Sequence, residues 1–213
     1  MKFDCILFDF DGVIADTDKA RYDILKQILI KYNIYIDNSY LKKLIGFSTK
    51  SFLRQNFPKL NNLEIENIIA ERHQIYFSDL LNYCIPFEGM TNTIQELSNQ
   101  SKLAIVTTNS YEIVYRQLEY LSINKCFQWV IGRESTEDEN LSKTYSKVSE
   151  IINCYPEKCI VIEDSEIGLN AAKSEGYYCI KFSPIETKNT SHCNYDDFVK
   201  NYSELKSKIK RLL

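Results

Sequence analysis

The chain has 213 residues, 44% of them hydrophobic, with 26 lysines and arginines against 29 aspartates and glutamates. That length suits one substantial core plus an insert rather than two large domains, and a formal net charge of -3 gives no reason to expect a nucleic-acid partner. No run approaches the roughly 18 apolar residues of a membrane span, and a strand pattern starts at once, so we expect a cytoplasmic protein with neither signal peptide nor membrane contact.

The first predicted element is an apolar run, Phe3, Cys5, Ile6, Leu7 and Phe8, which reads as a buried strand. It stops at Asp9 and Asp11, with Gly12 next. In open α/β sheets ligands bind beyond the carboxyl ends of the strands, so these carboxylates sit where chemistry is expected. Asp9, still in line with the strand, is a candidate nucleophile, and Asp11, on the loop, a candidate acid and base. Gly12 removes side-chain bulk where the backbone turns beside a substrate. A polar strand end closed by turn-forming Asp and Gly is the plain alternative. The full stretch DFDGVIADTD resembles the first motif of the haloacid dehalogenase-like superfamily, particularly its β-phosphoglucomutase and phosphoglycolate phosphatase branch.

From Asp18 to about Tyr83 strand signals nearly vanish and apolar residues recur at helical spacing: Ile24, Leu25, Ile28, Leu29 and Tyr32, then Leu63, Ile65, Ile68 and Ile69. Gly46 reads as the end of a short helix and Ser48 as the cap of the next, Thr49 to Asn56. The resemblance implies that residues 17–84 form an α-helical cap that closes over the active site of a core made of residues 1–16 and 85–213. Lys50 and Arg54, just after the cap glycine, are candidate substrate contacts, with a solvated surface role as the alternative.

After residue 85 helix and strand alternate. Helices are predicted at Thr91–Asn99, Tyr111–Leu121, Lys143–Ile152 and Glu166–Glu175, and strands at Lys102–Thr107, Phe127–Ile131, Cys159–Ile162 and Tyr178–Phe182. This order predicts an α/β fold, a Rossmann-like parallel sheet covered by helices on both faces. The strand LAIVT ends in Thr107, Thr108, Asn109 and Ser110 directly before a helix, a good receptor for a phosphoryl group, although Asn109 or Ser110 also suits a helix cap. The family's second motif falls on Thr107, whose hydroxyl the match gives to the transferred phosphoryl, with Thr108 and Asn109 adding backbone contacts.

Negative charge gathers in phosphoryl transfer, and a lysine before the next strand offsets it. Lys143 and Lys147 are the candidates, and Lys143 is preferred because it lies nearer the catalytic edge. Many relatives carry Lys-Pro-x-Pro here, whereas this chain reads Lys143-Thr144-Tyr145-Ser146. The run CIVIEDSEIGLNAA then ends another apolar strand in Glu163 and Asp164. Four carboxylates at one sheet edge repel one another without a cation, and an oxygen-only ligand set with room for water and phosphate suits Mg²⁺. The resemblance to the family's fourth motif implies that Asp9 and Asp164 ligate through side chains and Asp11 through its carbonyl, with Glu163 in or beside the ligand set. Capping by Asp164 or Ser165 is the alternative.

Val199, Tyr202, Leu205, Ile209 and Leu212 recur every three or four residues, which predicts a packed terminal helix with a solvated basic face. His73 and His192 fall in no motif. Seven cysteines without C-x-x-C spacing fit neither a disulfide framework nor a zinc site, and Cys5, Cys159 and Cys179 read as small buried hydrophobes.

Together these features predict a Mg²⁺-dependent phosphatase that hydrolyses a small phosphorylated metabolite through an aspartyl-phosphate. A sugar phosphomutase of β-phosphoglucomutase type is the alternative, and a binding protein that keeps the fold without catalysis stands behind it. The mutases resembled here place a histidine and an arginine where this chain has Arg21 and Thr49. A dehalogenase fits worse, because its leaving halide needs no proton from Asp11.

Overall fold

The structure, a computed structural model, describes residues 3–44, 49–132, 141–184 and 194–213, and leaves the side chains of residues 42 and 141–144 undescribed. The chain forms two compact units, Met1–Ala15 with Pro86–Leu213, and Asp16–Ile85. Gly46, Ser48 and His192 lie outside the described residues.

The first unit is built on six strands, β1 (Cys5–Phe8), β2 (Lys102–Val106), β3 (Trp129–Ile131), β4 (Cys159–Glu163), β5 (Tyr178–Phe182) and β6 (Asp197–Val199). All pair in parallel, in the order β3-β2-β1-β4-β5-β6. The chain builds outward from β1 in one direction, then returns to the other side of β1 with β4. The β1–β4 boundary is therefore the point where strand order reverses, and connections leaving the two carboxyl ends diverge to open a crevice.

Near-continuous apolar strands bury both faces, as parallel sheets require. Cys5, Leu7, Ala104, Val106, Val161 and Cys179 pack on one face against Tyr145, Val148, Leu169 and Ala172 of two helices, α7 (Leu141–Ile152) and α8 (Glu166–Ser174), numbered in chain order with those that precede them. The intervening residues Ile6, Phe8, Ile105, Ile162 and Phe182 are equally buried toward the opposite face. There Tyr202 of α9 (Tyr202–Leu212) lies 5.2 Å, centroid to centroid, from Phe182, and α9 packs on α5 (Met90–Ser98). The remaining helix of this unit, α6 (Tyr111–Tyr120), follows β2. Helices thus cover both faces of a Rossmann-like sheet.

The terminal segment differs from the sequence expectation in one respect. Val199 does not join the final helix; Asp197–Val199 pairs with β5 as a sixth strand, and the helix starts only at Tyr202. Three residues give too short a run for a two-residue period to be told from the adjoining helical one. Asn201 separates the two elements by accepting the Glu204 N–H at 2.9 Å as an N-cap.

The second unit contains α1 (Thr17–Ile30), α2 (Ser39–Leu44), α3 (Thr49–Asn56) and α4 (Asn62–Ser78). Its core joins Ile24, Leu25, Ile28 and Leu29 of α1 to Phe52, Leu53, Ile65 and Ile68, the helical spacing read from the sequence. Asp16 caps α1, and Asn61 with Glu64 forms a reciprocal capping box on α4. No helix among the described residues is long and apolar enough to cross a membrane.

One buried polar contact ties the last helix to the segment that follows β1. The Tyr202 hydroxyl, fully buried, donates to the Val13 carbonyl at 2.8 Å. Tyr202→Phe leaves that carbonyl without this partner in an apolar setting, and we expect a loss of about 1–3 kcal/mol. The urea midpoint should fall with the m-value unchanged; an unaltered midpoint would show that water replaces the hydroxyl.

Candidate active site

The backbone of β1 runs on past its last paired side chain. Asp9 N–H donates to the Ile162 carbonyl of β4 at 3.0 Å, which holds Asp9 in line with the strand. The chain then coils tightly, with Ile14 and Ala15 N–H groups both donating to the Phe10 carbonyl at 2.9 and 3.1 Å. Gly12 meets two demands in this coil. Its φ is +75°, a left-handed conformation, and a Cβ built on it would lie 2.2 Å from Asp164 Oδ2. The loops after β1 and β4 thus touch at this glycine.

Glu163 ends β4 and is almost fully buried. Ser165 holds it and begins α8 at the same time: its N–H donates to Glu163 Oε2 at 2.6 Å, while its hydroxyl accepts the Gly168 N–H at 3.0 Å. Capping therefore falls to Ser165 and leaves Asp164 to the acid group. A Cβ on Gly168 would lie 1.7 Å from Glu163 Oε1, so this glycine makes the space the carboxylate fills. Carboxylate oxygens of Asp9, Glu163 and Asp164 all lie within 4.8 Å of one another.

On the other side of β1, Thr107 extends β2 by donating its N–H to Ile131 at 3.0 Å, and its side chain is buried. The Thr107 hydroxyl accepts the Asn109 N–H at 3.2 Å. Asn109 Nδ2 donates to Asp11 Oδ2 at 2.5 Å, which draws the Asp11 carboxylate toward the β2 loop. Thr108 is exposed, and Ser110 takes the N-cap position of α6 without a side-chain bond. Two acids separated by one residue in the sequence thus stand in different surroundings, Asp9 among the other carboxylates and Asp11 beside Asn109.

Burial, followed by the charges of Glu163, Asp11 and Asp164, raises the Asp9 carboxyl well above the usual carboxylate range. Burial likewise pushes Glu163 up to about 7, against the opposing bond from Ser165. Burial dominates both shifts, and at Asp9 the neighbouring like charges add to it. The donor set, oxygen only and in excess of negative charge, fits a hard divalent cation, with Asp9, Glu163 and Asp164 as the residues to hold it.

Of the other candidates, Lys143 falls in α7, but its side chain lies outside the described residues; Lys147, one turn on, is exposed. Lys50 and Arg54 belong to α3 of the second unit, where Lys50 pairs with Glu66 and Arg54 donates to Asn62 Oδ1 at 3.2 Å. Arg21 pairs with Asp18 and donates to the Leu44 carbonyl at 3.0 Å, and Thr49 is buried. Three features passed unnoticed in the sequence. They are the Asn109–Asp11 bond, the fit of Gly168 to Glu163, and buried Tyr145, whose phenol is pushed well up by burial and then by the nearby charges of Glu163 and Asp9. Only the spacing Glu163-x₄-Gly168 carried a readable signal, because one helical turn after a capped start returns to the strand end.

Fold and site together define an α/β protein that assembles acids from separate strand ends at the sheet's switch point, an arrangement suited to a cation and a phosphorylated ligand. The chain belongs to the haloacid dehalogenase-like hydrolases: the profile of that family matches residues 6–182. A phosphorylated carbohydrates phosphatase of Thermotoga maritima is 26% identical over 179 residues, which cover 81% of this chain and 82% of its own. Pyrophosphatase PpaX of Bacillus cereus is 22% identical over 178 residues, covering 83% and 81%. Among solved structures, a haloacid dehalogenase-like family hydrolase from Streptococcus pneumoniae superposes with a TM-score of 0.82 at 17% identity, covering 98% of this chain and 99% of that one, a likeness of fold.

The raised Glu163 carboxyl has a direct consequence for stability. Glu163 holds its proton more tightly when folded, up to about pH 7, than in the unfolded chain, so the folded state binds more protons between about pH 5 and 7. Stability from this group therefore falls as pH rises through that window. In the presence of chelator, Tm should drop more from pH 5 to 8 in the native protein than in Glu163→Gln. Added Mg²⁺ should raise Tm more at pH 8 than at pH 5; parallel profiles for the two proteins would show that the cluster carries no such strain.

Proposed function

We propose that the protein is a Mg²⁺-dependent phosphoric monoester hydrolase acting on a small phosphorylated metabolite through an aspartyl-phosphate on Asp9. The observation that carries this reading is the division of labour between two nearby carboxylates. Asp9 is fixed in line with β1 amid the acid cluster yet keeps some solvent access, and Asp11 is drawn aside by Asn109.

In the first half-reaction an Asp9 oxygen bonds to phosphorus, the ester P–O bond breaks, and Asp11 gives its proton to the departing oxygen. In the second, Asp11 takes a proton from water as that water attacks the phosphorus; the bond to Asp9 breaks and phosphate leaves. Thr107 and the N–H groups of Thr108 and Asn109 receive the phosphoryl oxygens, beside Gly12, and Lys143 brings a positive charge to them. Asp9, Glu163 and Asp164, with the Asp11 carbonyl, would hold Mg²⁺, which when bound would offset the charge that gathers on the phosphoryl group. The chemistry of the donor set and the family membership support this assignment.

Hydrolysis rather than phosphoryl return is favoured by Arg21. It stands where the resembling mutases carry a histidine, it is held by Asp18 and Leu44, and a guanidinium yields no proton at neutral pH. We assign the second unit the role of the cap that reads the rest of the substrate, and the protein to the cytoplasm with no nucleic-acid partner. The activities named for the relatives put phosphorylated carbohydrates and pyrophosphate first among substrates to assay.

Asp9→Asn keeps the shape of the nucleophile and removes its charge, so phosphate release should fall by about a thousandfold or more with circular dichroism unchanged. Near-native turnover in this variant would refute the mechanism. Lys50 and Arg54 are tested separately. Changing each to alanine should raise KM for the best phosphorylated metabolite several-fold, at little cost in kcat, and leave KM for a small aryl phosphate nearly unaltered. An equal rise for both substrates would assign the two residues to the structure of α3 and α4 instead of recognition.

A further inference from the structure

Three thiols gather at the opposite edge of the sheet from the acids. Cys5 opens β1 and Cys159 opens β4, and the two are register partners on adjacent parallel strands. Cys154 lies in the turn after α7, where its N–H donates to Ser149 at 3.1 Å, and it packs against the same cluster as the other two. The Cys159 thiol is central: Cys5 is its register partner, Cys154 packs against the same cluster, and its sulfur reaches the carbonyl of Tyr155, the residue after Cys154, at 3.4 Å. No disulfide joins the six described cysteines.

Access to the group is uneven. Cys5 and Cys159 are buried, whereas Cys154 is partly exposed. An open cavity of about 530 Å³ meets the cluster through Cys154 and Cys5, and its wall also includes Asp4, Ser101, Lys102 and Gln128. The Ser101 hydroxyl is buried there without a hydrogen-bond partner. A small polar molecule therefore has a route to Cys154, and the buried thiols of Cys5 and Cys159 belong to the cluster against which Cys154 packs.

We propose that this cluster is a site of oxidative modification, in which a hydroperoxide oxidises Cys154 and Cys159 closes a Cys154–Cys159 disulfide. With hydrogen peroxide the Cys154 sulfur attacks one oxygen; the O–O bond breaks, an S–O bond forms, and the thiol proton leaves with the second oxygen as water. The Cys159 sulfur then attacks the sulfenic sulfur. The S–S bond forms, the S–O bond breaks, and the departing hydroxide takes the Cys159 proton as a second water. Two thiols lose two electrons, and one peroxide becomes two waters. Cys5 is not needed for closure. It accepts a hydrogen bond from Cys159, which lowers its pKa, and it flanks the disulfide as a second thiol for exchange. Burial raises the Cys154 thiol, so its thiolate is scarce at neutral pH and the reaction should quicken as pH rises.

The test uses the full-length, Mg²⁺-supplemented protein treated with hydrogen peroxide at mildly alkaline pH, alkylated and digested. Peptide mass spectrometry should find Cys154 joined to Cys159, with the mass of the chain lower by two hydrogens and restored by dithiothreitol. In Cys159→Ser, Cys154 should stop at the sulfenic acid and be trapped by dimedone; Cys5→Ser should still form the link. Cys126, a partly exposed cysteine in a separate turn, gives the comparison. The proposal is overturned if Cys154 and Cys159 remain alkylated when Cys126 has been oxidised, or if the link joins other cysteines. The map of the native protein alone decides this, whether or not a variant folds.

Discussion

The pairing of β1 with β4 is the constraint on which the rest of this molecule depends. Register places Phe8 opposite Ile162, and the Asp9 N–H bonded to Ile162 carries that alignment one residue beyond the strand. The residues that follow on each strand are then forced together, and on both strands they are acids. Their convergence is unfavourable in itself, as the raised carboxyl of Asp9 shows, and burial raises Glu163 beside it. The apolar strands beneath, buried on both faces, hold them there. The stability of the sheet thus holds together carboxylates that burial and mutual repulsion disfavour.

Holding acids this close leaves little room for side chains around them. Gly12 and Gly168 occupy the two positions where a Cβ would enter a carboxylate, one against Asp164 and the other against Glu163. Ser165 combines two tasks in one residue, capping α8 with its hydroxyl and binding Glu163 with its N–H. Asn109 performs the complementary task across β1, taking hold of Asp11 so that two carboxylates two residues apart are separated in surroundings. Asp9 and Asp11 thereby stand in different surroundings at one strand end.

The two units divide the sequence by a simple physical rule. Near-continuous apolar strands belong to the first, and among the described residues the second is helices around an aliphatic and aromatic core. The helical unit is inserted directly after Ala15, a few residues along the chain from Asp9 and Asp11.

The sequence by itself determined the parallel α/β fold, the strand ends at Asp9, Thr107 and Glu163, and the helical character of the insert, because each is written in a local period or an abrupt change from apolar to acidic residues. It also determined the family, because four short motifs stand in order along most of the first unit. Tertiary structure alone decided that Val199 pairs with β5 instead of extending the last helix, since a three-residue strand has no period of its own. It alone decided that Asn109 grips Asp11, that Gly168 shapes the seat of Glu163, and that Cys154 packs against the cluster that holds Cys159. Those are contacts between residues whose neighbourhood is set by the sheet. No property of a residue type announces which distant backbone will bring a partner within bonding distance.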